Sequence, residues 1–199
     1  LPFNVICGTS AGALNAVTLV VNARHFRKGV RYLLNILNNA RVSDIYRSDV
    51  LGVLGNSARW LLGLLFSVLG SNRLNRVSLL DNRPMRAFLE RTLPCELIQQ
   101  HIDDGLVHAV SVTASGYGSG HSVTFYQGAP DIKPWRRTRR VGMPTQINIQ
   151  HLLASSAIPF MFPAIHVNRE FFGDGSMRQI ALISSALHLG AERVLVVGV

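Results

Sequence analysis

The sequence predicts an α/β fold: one layered domain with a mainly parallel central sheet and helices on both faces. Three observations carry that expectation. Short apolar runs alternate with longer stretches of helical spacing, the pattern of strands joined by helices. Of the residues, 48% are apolar and only 16% charged, which suits a packed core and not a disordered chain. The 199 residues fit a single domain spanning 1–199, with no internal repeat or low-complexity linker.

In chain order, Phe3 to Cys7 is an apolar run too short for a helix and reads as a strand. It enters Gly8-Thr-Ser-Ala-Gly12, and Ala11 to Ala23, rich in Ala, Leu and Val, reads as a buried helix. Phe26 to Leu37 places Phe26, Val30, Leu33, Leu34 and Leu37 at helical spacing. A further helix is expected to begin near Asp81 as N-cap, with Pro84 in its first turn and Met85, Phe88 and Leu89 facing inward. The Val-rich run Leu106 to Thr113 and the alternating run Ser122 to Tyr126 flank Gly116-Tyr-Gly-Ser-Gly120, which predicts a hairpin. Thr145 to Ser156 reads as a helix closed by Pro159 and Pro163. Short strands are expected at Ala164 to Val167 and Glu170 to Phe172, around a turn at Asn168-Arg169. Met177 to Leu189 is helical and stops at Gly190, and Arg193 to Val199 reads as a buried strand. The chain opens without Met almost inside a strand and stops on an apolar run, so both ends are expected to be cut from a longer protein.

Composition narrows the function without choosing it. Lys and Arg number 20 against 11 Asp and Glu, and a net charge of +9 favours nucleic acid or an anionic membrane surface as a partner. Two cysteines, Cys7 and Cys95, make neither a disulfide framework nor a zinc site, and Cys7 reads as a small core residue.

Gly8-Thr9-Ser10-Ala11-Gly12 has the G-x-S-x-G form of a nucleophile elbow, and it lies between strand and helix as an elbow must. A sharp reversal there forces an unfavourable backbone angle on the serine and lifts its hydroxyl above the sheet, beside the positive end of the helix dipole. Flanking glycines let strand and helix approach closely. Ser10 is the candidate nucleophile, and the Ala11 N–H a candidate donor to an oxyanion.

A serine nucleophile needs a base. Asp174, in Phe171-Phe-Gly-Asp-Gly-Ser176, suits a carboxylate in a tight turn at a strand end, and equally a plain Asp-Gly turn. His188 is the one histidine after Asp174; it could complete a Ser-His-Asp triad or simply complement a helix C-terminus.

Three ordered segments, Gly8 to Gly12, Ala154-Ser-Ser-Ala-Ile-Pro-Phe-Met-Phe-Pro163 and Asp174-Gly175-Ser176, resemble the patatin-like phospholipases. The resemblance runs from Gly8 to the last apolar run. It implies a Ser10–Asp174 dyad without a catalytic histidine, an acyl-enzyme intermediate, a lipid ester substrate and no metal or organic cofactor. Ser176 stands where the family pattern has Gly or Ala. The family's Gly-rich oxyanion loop is not found before Gly8 and is expected upstream of Leu1.

Two segments suit a membrane. Leu51 to Gly70 is apolar apart from a narrow stripe that includes Asn56 and Arg59, so it reads as an interfacial helix or a core helix, with Arg59 disfavouring a span. Trp135-Arg-Arg-Thr-Arg-Arg140 joins an aromatic to a basic cluster that anionic headgroups would attract, or is a solvated loop. The reading is therefore a lipid acyl hydrolase in peripheral contact with anionic membrane, located in the cytoplasm or at a membrane surface. A triad esterase using His188 and a non-catalytic membrane-binding module are the alternatives. No nucleic-acid motif accompanies the basic charge, so no nucleic acid is expected as partner.

Overall fold

The structure is a computed structural model that describes residues 2–39, 80–178 and 183–198. The segment Leu51 to Gly70 lies outside the described residues.

The first strand, β1 (Val5–Thr9), turns at Ser10 into α1 (Ala11–Val21). A short 3-10 turn at Ala23–His25 leads to α2 (Phe26–Asn39). Further on, α3 (Arg83–Thr92) and α4 (Leu97–Asp103) precede β2 (Ala109–Gly116) and β3 (Ser122–Gly128). Two short strands follow, β4 (Trp135–Arg137) and β5 (Arg140–Pro144), then α5 (Ile149–Ser155). Strands β6 (Ile165–Val167) and β7 (Glu170–Asp174) and the helix α6 (Ser184–His188) complete the described chain.

Strand β2 is the axis of the sheet and is buried along its whole length. Its alternating side chains serve two different faces. Val110, Val112 and Ala114 join the main core with Ala13, Val17 and Val20 of α1, Ile98 of α4, Leu152 of α5 and Phe125 of β3. The opposite face carries Ala109, Ser111, Thr113 and Ser115, where a smaller cluster of Ala109, Tyr126 and Leu189 packs with Cys7 and Trp135. Burial pushes the Cys7 thiol upward, in keeping with a packing role.

The α/β class stands, but the sheet is mixed instead of mainly parallel. β1 on β2 and β3 on β5 are parallel; β2–β3, β2–β7, β4–β5 and β6–β7 are antiparallel. For β2–β3, β4–β5 and β6–β7 short connections leave no alternative, because a parallel neighbour needs a crossover of a dozen or more residues. Tyr117–His121, Thr138–Arg139 and Asn168–Arg169 are too short for that, and Arg139 and Asn168 take positive φ in their turns.

Helix boundaries moved for local reasons. α5 begins at Ile149, not Thr145, because Asn148 caps it: its side chain accepts the Gln150 N–H at 3.0 Å, and His151 Nδ1 accepts the Asn148 N–H at 3.2 Å. Asp81 lies one residue before the N-cap Asn82 and instead accepts the Arg83 N–H at 3.0 Å. Met85, Phe88 and Leu89 do face the core. The expected helix from Met177 is replaced by a 3-10 turn at Gly175–Met177 and then α6, with residues 179–182 outside the description; Gly190 does take positive φ just after the helix. Arg193 to Gly198 is exposed and forms no strand: it pairs with no described strand, so its apolar content is not matched by a ladder.

Candidate active site

The sheet register brings the two ends of the site together. β3 occupies one edge of β2 along Ala109–Ser115, so β1 and β7 share the other edge. β1 runs parallel to β2 and ends with Thr9 opposite Thr113; β7 runs antiparallel and ends with Asp174 opposite Ala114. The two strands therefore meet with their C-terminal ends facing, and the residues that leave them, Ser10 and Asp174, touch. Ser10 Oγ donates to Asp174 Oδ2 at 2.6 Å across 164 residues of sequence.

Each partner is held in a way that explains its neighbours. Ser10 has φ 54 and ψ −126, a region that non-glycine residues rarely enter and that costs on the order of 1–3 kcal/mol. Gly8 makes the bend possible, because a Cβ there would lie 2.2 Å from the Gly12 carbonyl oxygen. Gly12 has a different character: a Cβ on it would meet nothing within 4 Å. Only the first glycine of the motif is thus required by close approach.

Asp174 is 2% exposed, and a buried carboxylate must be hydrogen-bonded to be tolerated. Its Oδ1 accepts from the Ser176 N–H at 2.8 Å and from Ser176 Oγ at 2.7 Å, which leaves Oδ2 for Ser10. Ser176 therefore adds a donor that Gly or Ala could not supply. Gly175 passes so close to the sheet that a Cβ would stand 2.1 Å from the Thr113 carbonyl oxygen. Thr9, at the end of β1, lines the same crossing through its methyl group.

Ser10 sits at the N-cap of α1, yet its hydroxyl does not cap the helix because it is turned to Asp174. The first-turn N–H groups of a helix have no carbonyl partner within it, and Ala11, exposed at the head of α1, presents one of them beside Ser10. The Ser10 N–H is engaged by Ser155 Oγ at 2.9 Å.

Three more residues belong to the surroundings and carried no signal in their own neighbourhoods. Ser155 and Ser156 bond the Ser10 backbone, and Tyr117 lays its ring over Gly173, where a Cβ would lie 2.2 Å from the Tyr117 hydroxyl oxygen. Burial raises the Tyr117 phenol, with the Asp174 charge adding to that and Arg178 opposing it. The matched segment Ala154 to Pro163 contained both serines, but nothing local tied them to Ser10.

His188 is built into a different place. Its ring stacks on Trp135 at 4.8 Å, and Trp135 stacks on Tyr126 at 5.1 Å. Desolvation, then Arg137 and Arg140, lower its pKa and favour the neutral imidazole. Trp135 is thereby committed to the fold, lying on Gly142, while Arg136, Arg137 and Arg139 remain exposed. Among the described residues, no group of three or more His, Cys, Asp or Glu gathers as a metal site, and no helix is long and apolar enough to cross a membrane.

A family model described as Patatin-like phospholipase matches residues 1–187. The chain belongs to the patatin-like phospholipase family. That membership makes its general activity lipid acyl hydrolysis, with lipid esters as substrates. Searches among curated proteins and among solved structures found no match.

Proposed function

We propose that this patatin-like chain cleaves phospholipid acyl esters through a Ser10–Asp174 dyad and an acyl-enzyme intermediate. The observation that carries the proposal is the 2.6 Å hydrogen bond from Ser10 Oγ to Asp174 Oδ2, made with no histidine between them. In the first half-reaction the Ser10 proton passes to Asp174 Oδ2 while Oγ bonds to the ester carbonyl carbon. The carbonyl oxygen becomes an oxyanion that accepts from the Ala11 N–H at the positive end of α1. Collapse breaks the ester C–O bond, and the departing lysolipid alkoxide takes the proton from Asp174. Water then repeats the sequence: it yields a proton to Asp174, attacks the acyl carbon and releases the fatty acid, and Ser10 recovers its proton. Two donors on Oδ1 keep the carboxylate oriented through both halves.

A lipid-facing setting is supported by side chains next to these turns. Phe160 is 77% exposed at φ 67, and Ile158 and Met161 beside it are exposed too. Met177, in the turn directly after Asp174, is 57% exposed. Large apolar groups on both turns suit a site that receives an acyl chain from a lipid surface. Peripheral contact with anionic membrane through the exposed arginines of 135–140, and through 51–70, belongs to the same proposal.

The test is fatty-acid release from phosphatidylglycerol vesicles by the protein and its Ser10→Ala variant. Loss of about 1,000-fold or more in the variant is expected of a covalent nucleophile. Equal release by both proteins would remove Ser10 from the chemistry.

A further inference from the structure

The dyad joins two strands that do not hydrogen-bond to one another, and one of its members has a strained backbone. Something must hold both. The turn that ends α5 touches each of them. Ser155 Oγ accepts the Ser10 N–H at 2.9 Å and donates its own proton to the Thr113 carbonyl at 2.6 Å. Ser156 Oγ donates to the Ser10 carbonyl at 3.2 Å. One residue further, the Ala157 carbonyl accepts the Asp174 N–H at 2.8 Å. Three consecutive residues thus grip the Ser10 backbone on both sides and the Asp174 backbone on one.

Resting on the dyad reading above, we infer that Ser155 and Ser156 are positioning residues that hold Ser10 in its strained conformation and so keep Oγ in reach of Asp174. The anchoring point gives the arrangement its logic. Thr113 lies opposite Thr9 in β2, and the next residue, Ala114, lies opposite Asp174. Ser155 therefore ties the elbow to the place on the central strand where β1 and β7 meet. Its hydroxyl has one proton to give and lone pairs to accept with, and both kinds of capacity are used. Ser155 is fully buried, so the bond it accepts from Ser10 is sheltered from competing water. Alanine would leave the Ser10 N–H and the Thr113 carbonyl without these partners, and the elbow could relax out of its positive φ.

A consequence concerns the oxyanion. With its N–H committed to Ser155, Ser10 does not contribute its own amide to the hole, and the helix head at Ala11 is left to do so.

The experiment uses the full-length protein with Ser155→Ala, Ser156→Ala and Ser156→Thr. Ser156 is only half-buried, and threonine there keeps the hydroxyl. Four quantities are read: kcat and KM on a soluble short-chain p-nitrophenyl ester, the rate at which a fluorophosphonate labels Ser10, and amide hydrogen exchange at Ser10. Expected for Ser155→Ala is a fall in kcat and in labelling rate of roughly 10–100-fold with KM little changed. Exchange at the Ser10 amide should accelerate about 10-fold or more while β1 stays protected. Ser156→Ala should show a smaller loss, restored by Ser156→Thr. Ser156→Ala also keeps the test decisive if Ser155→Ala does not fold. Unchanged kcat in both alanine variants overturns the inference. So does faster exchange spread evenly over β1, which would mean general loosening. If wild type is neither active nor labelled while Ser10 exchange responds as expected, the dyad reading fails and the backbone clamp stands.

Discussion

Asp174 and His188, the two candidate bases of the sequence, sit in regions built in opposite ways. Around Ser10 and Asp174, every polar atom of the pair is aimed: Oδ2 at Ser10, Oδ1 at Ser176, the Ser10 N–H and carbonyl at Ser155 and Ser156. Around His188 the aromatic stack with Trp135 and Tyr126 fills space, and polar groups go unanswered. Among the described residues Tyr126 Oη is buried without a hydrogen-bond partner, and the Ser111 and Ser185 hydroxyls have only the Cys7 thiol, a weak partner, beside them. One region stores strain and orients both members of the pair with hydrogen bonds; the other is held chiefly by packed rings. A titratable side chain serves chemistry where hydrogen bonds orient its heteroatom, and chain order alone does not supply that orientation.

Outside the dyad itself, the largest effects should come from glycines that only one of these regions needs. Gly8→Ala drives a Cβ to 2.2 Å from a backbone oxygen, and Gly175→Ala to 2.1 Å from another. Overpacking against backbone costs about 1–3 kcal/mol or more, and the displaced elbow should lower activity about 100-fold. Gly12→Ala meets nothing and should fold at least as stably, because alanine gains up to about 1 kcal/mol over glycine within a helix. Thermal unfolding of the three variants checks the contrast, and equal destabilisation by all three would contradict it.

Next in size is a pH effect from beneath the site. Burial lowers His151 from 6.5 to about 4, and its neutral Nδ1 accepts from the Asn148 N–H at the head of α5. The unfolded chain then binds the proton more readily than the folded one. Stability should therefore be intact above pH 6.5 and fall as the pH drops towards 4, by about 3 kcal/mol in all. His151→Gln keeps an acceptor at the third helical position without the titration, so urea midpoints at pH 7 and 4.5 should diverge less in the variant. A parallel decline in both proteins would free His151 from that role.

Smaller still, Phe160→Ser should reduce release from vesicles about tenfold, the worth of one buried aromatic, and leave hydrolysis of a soluble short-chain ester unaltered. Equal losses on both substrates would place Phe160 in the packing of the site instead of at a lipid surface.

What was legible in the sequence follows the same division. The elbow and the Asp-Gly turn were readable because their demands are local: a bend that needs Gly8, and a crossing that needs Gly175. The hairpins at Gly116–Gly120 and Asn168–Arg169 were readable from turn chemistry, although they also contained the antiparallel pairing that a helix-and-strand count overlooked. Ser155 escaped because its partner is 145 residues away, and Tyr117 because its reason for being there is the missing Cβ of Gly173. The run Arg193 to Gly198 was misread because apolar content alone does not supply the ladder partner that makes a strand. Asn148, a strong N-cap, was the available signal for the true start of α5.

The most direct measurement of the central claim is kcat of Asp174→Asn against His188→Ala on one soluble ester, both corrected for the fraction folded. An oriented dyad should lose about 1,000-fold or more in the first and stay within about threefold of wild type in the second. The reverse order, with His188→Ala inactive and Asp174→Asn nearly intact, would contradict it and make the aromatic region the seat of the base.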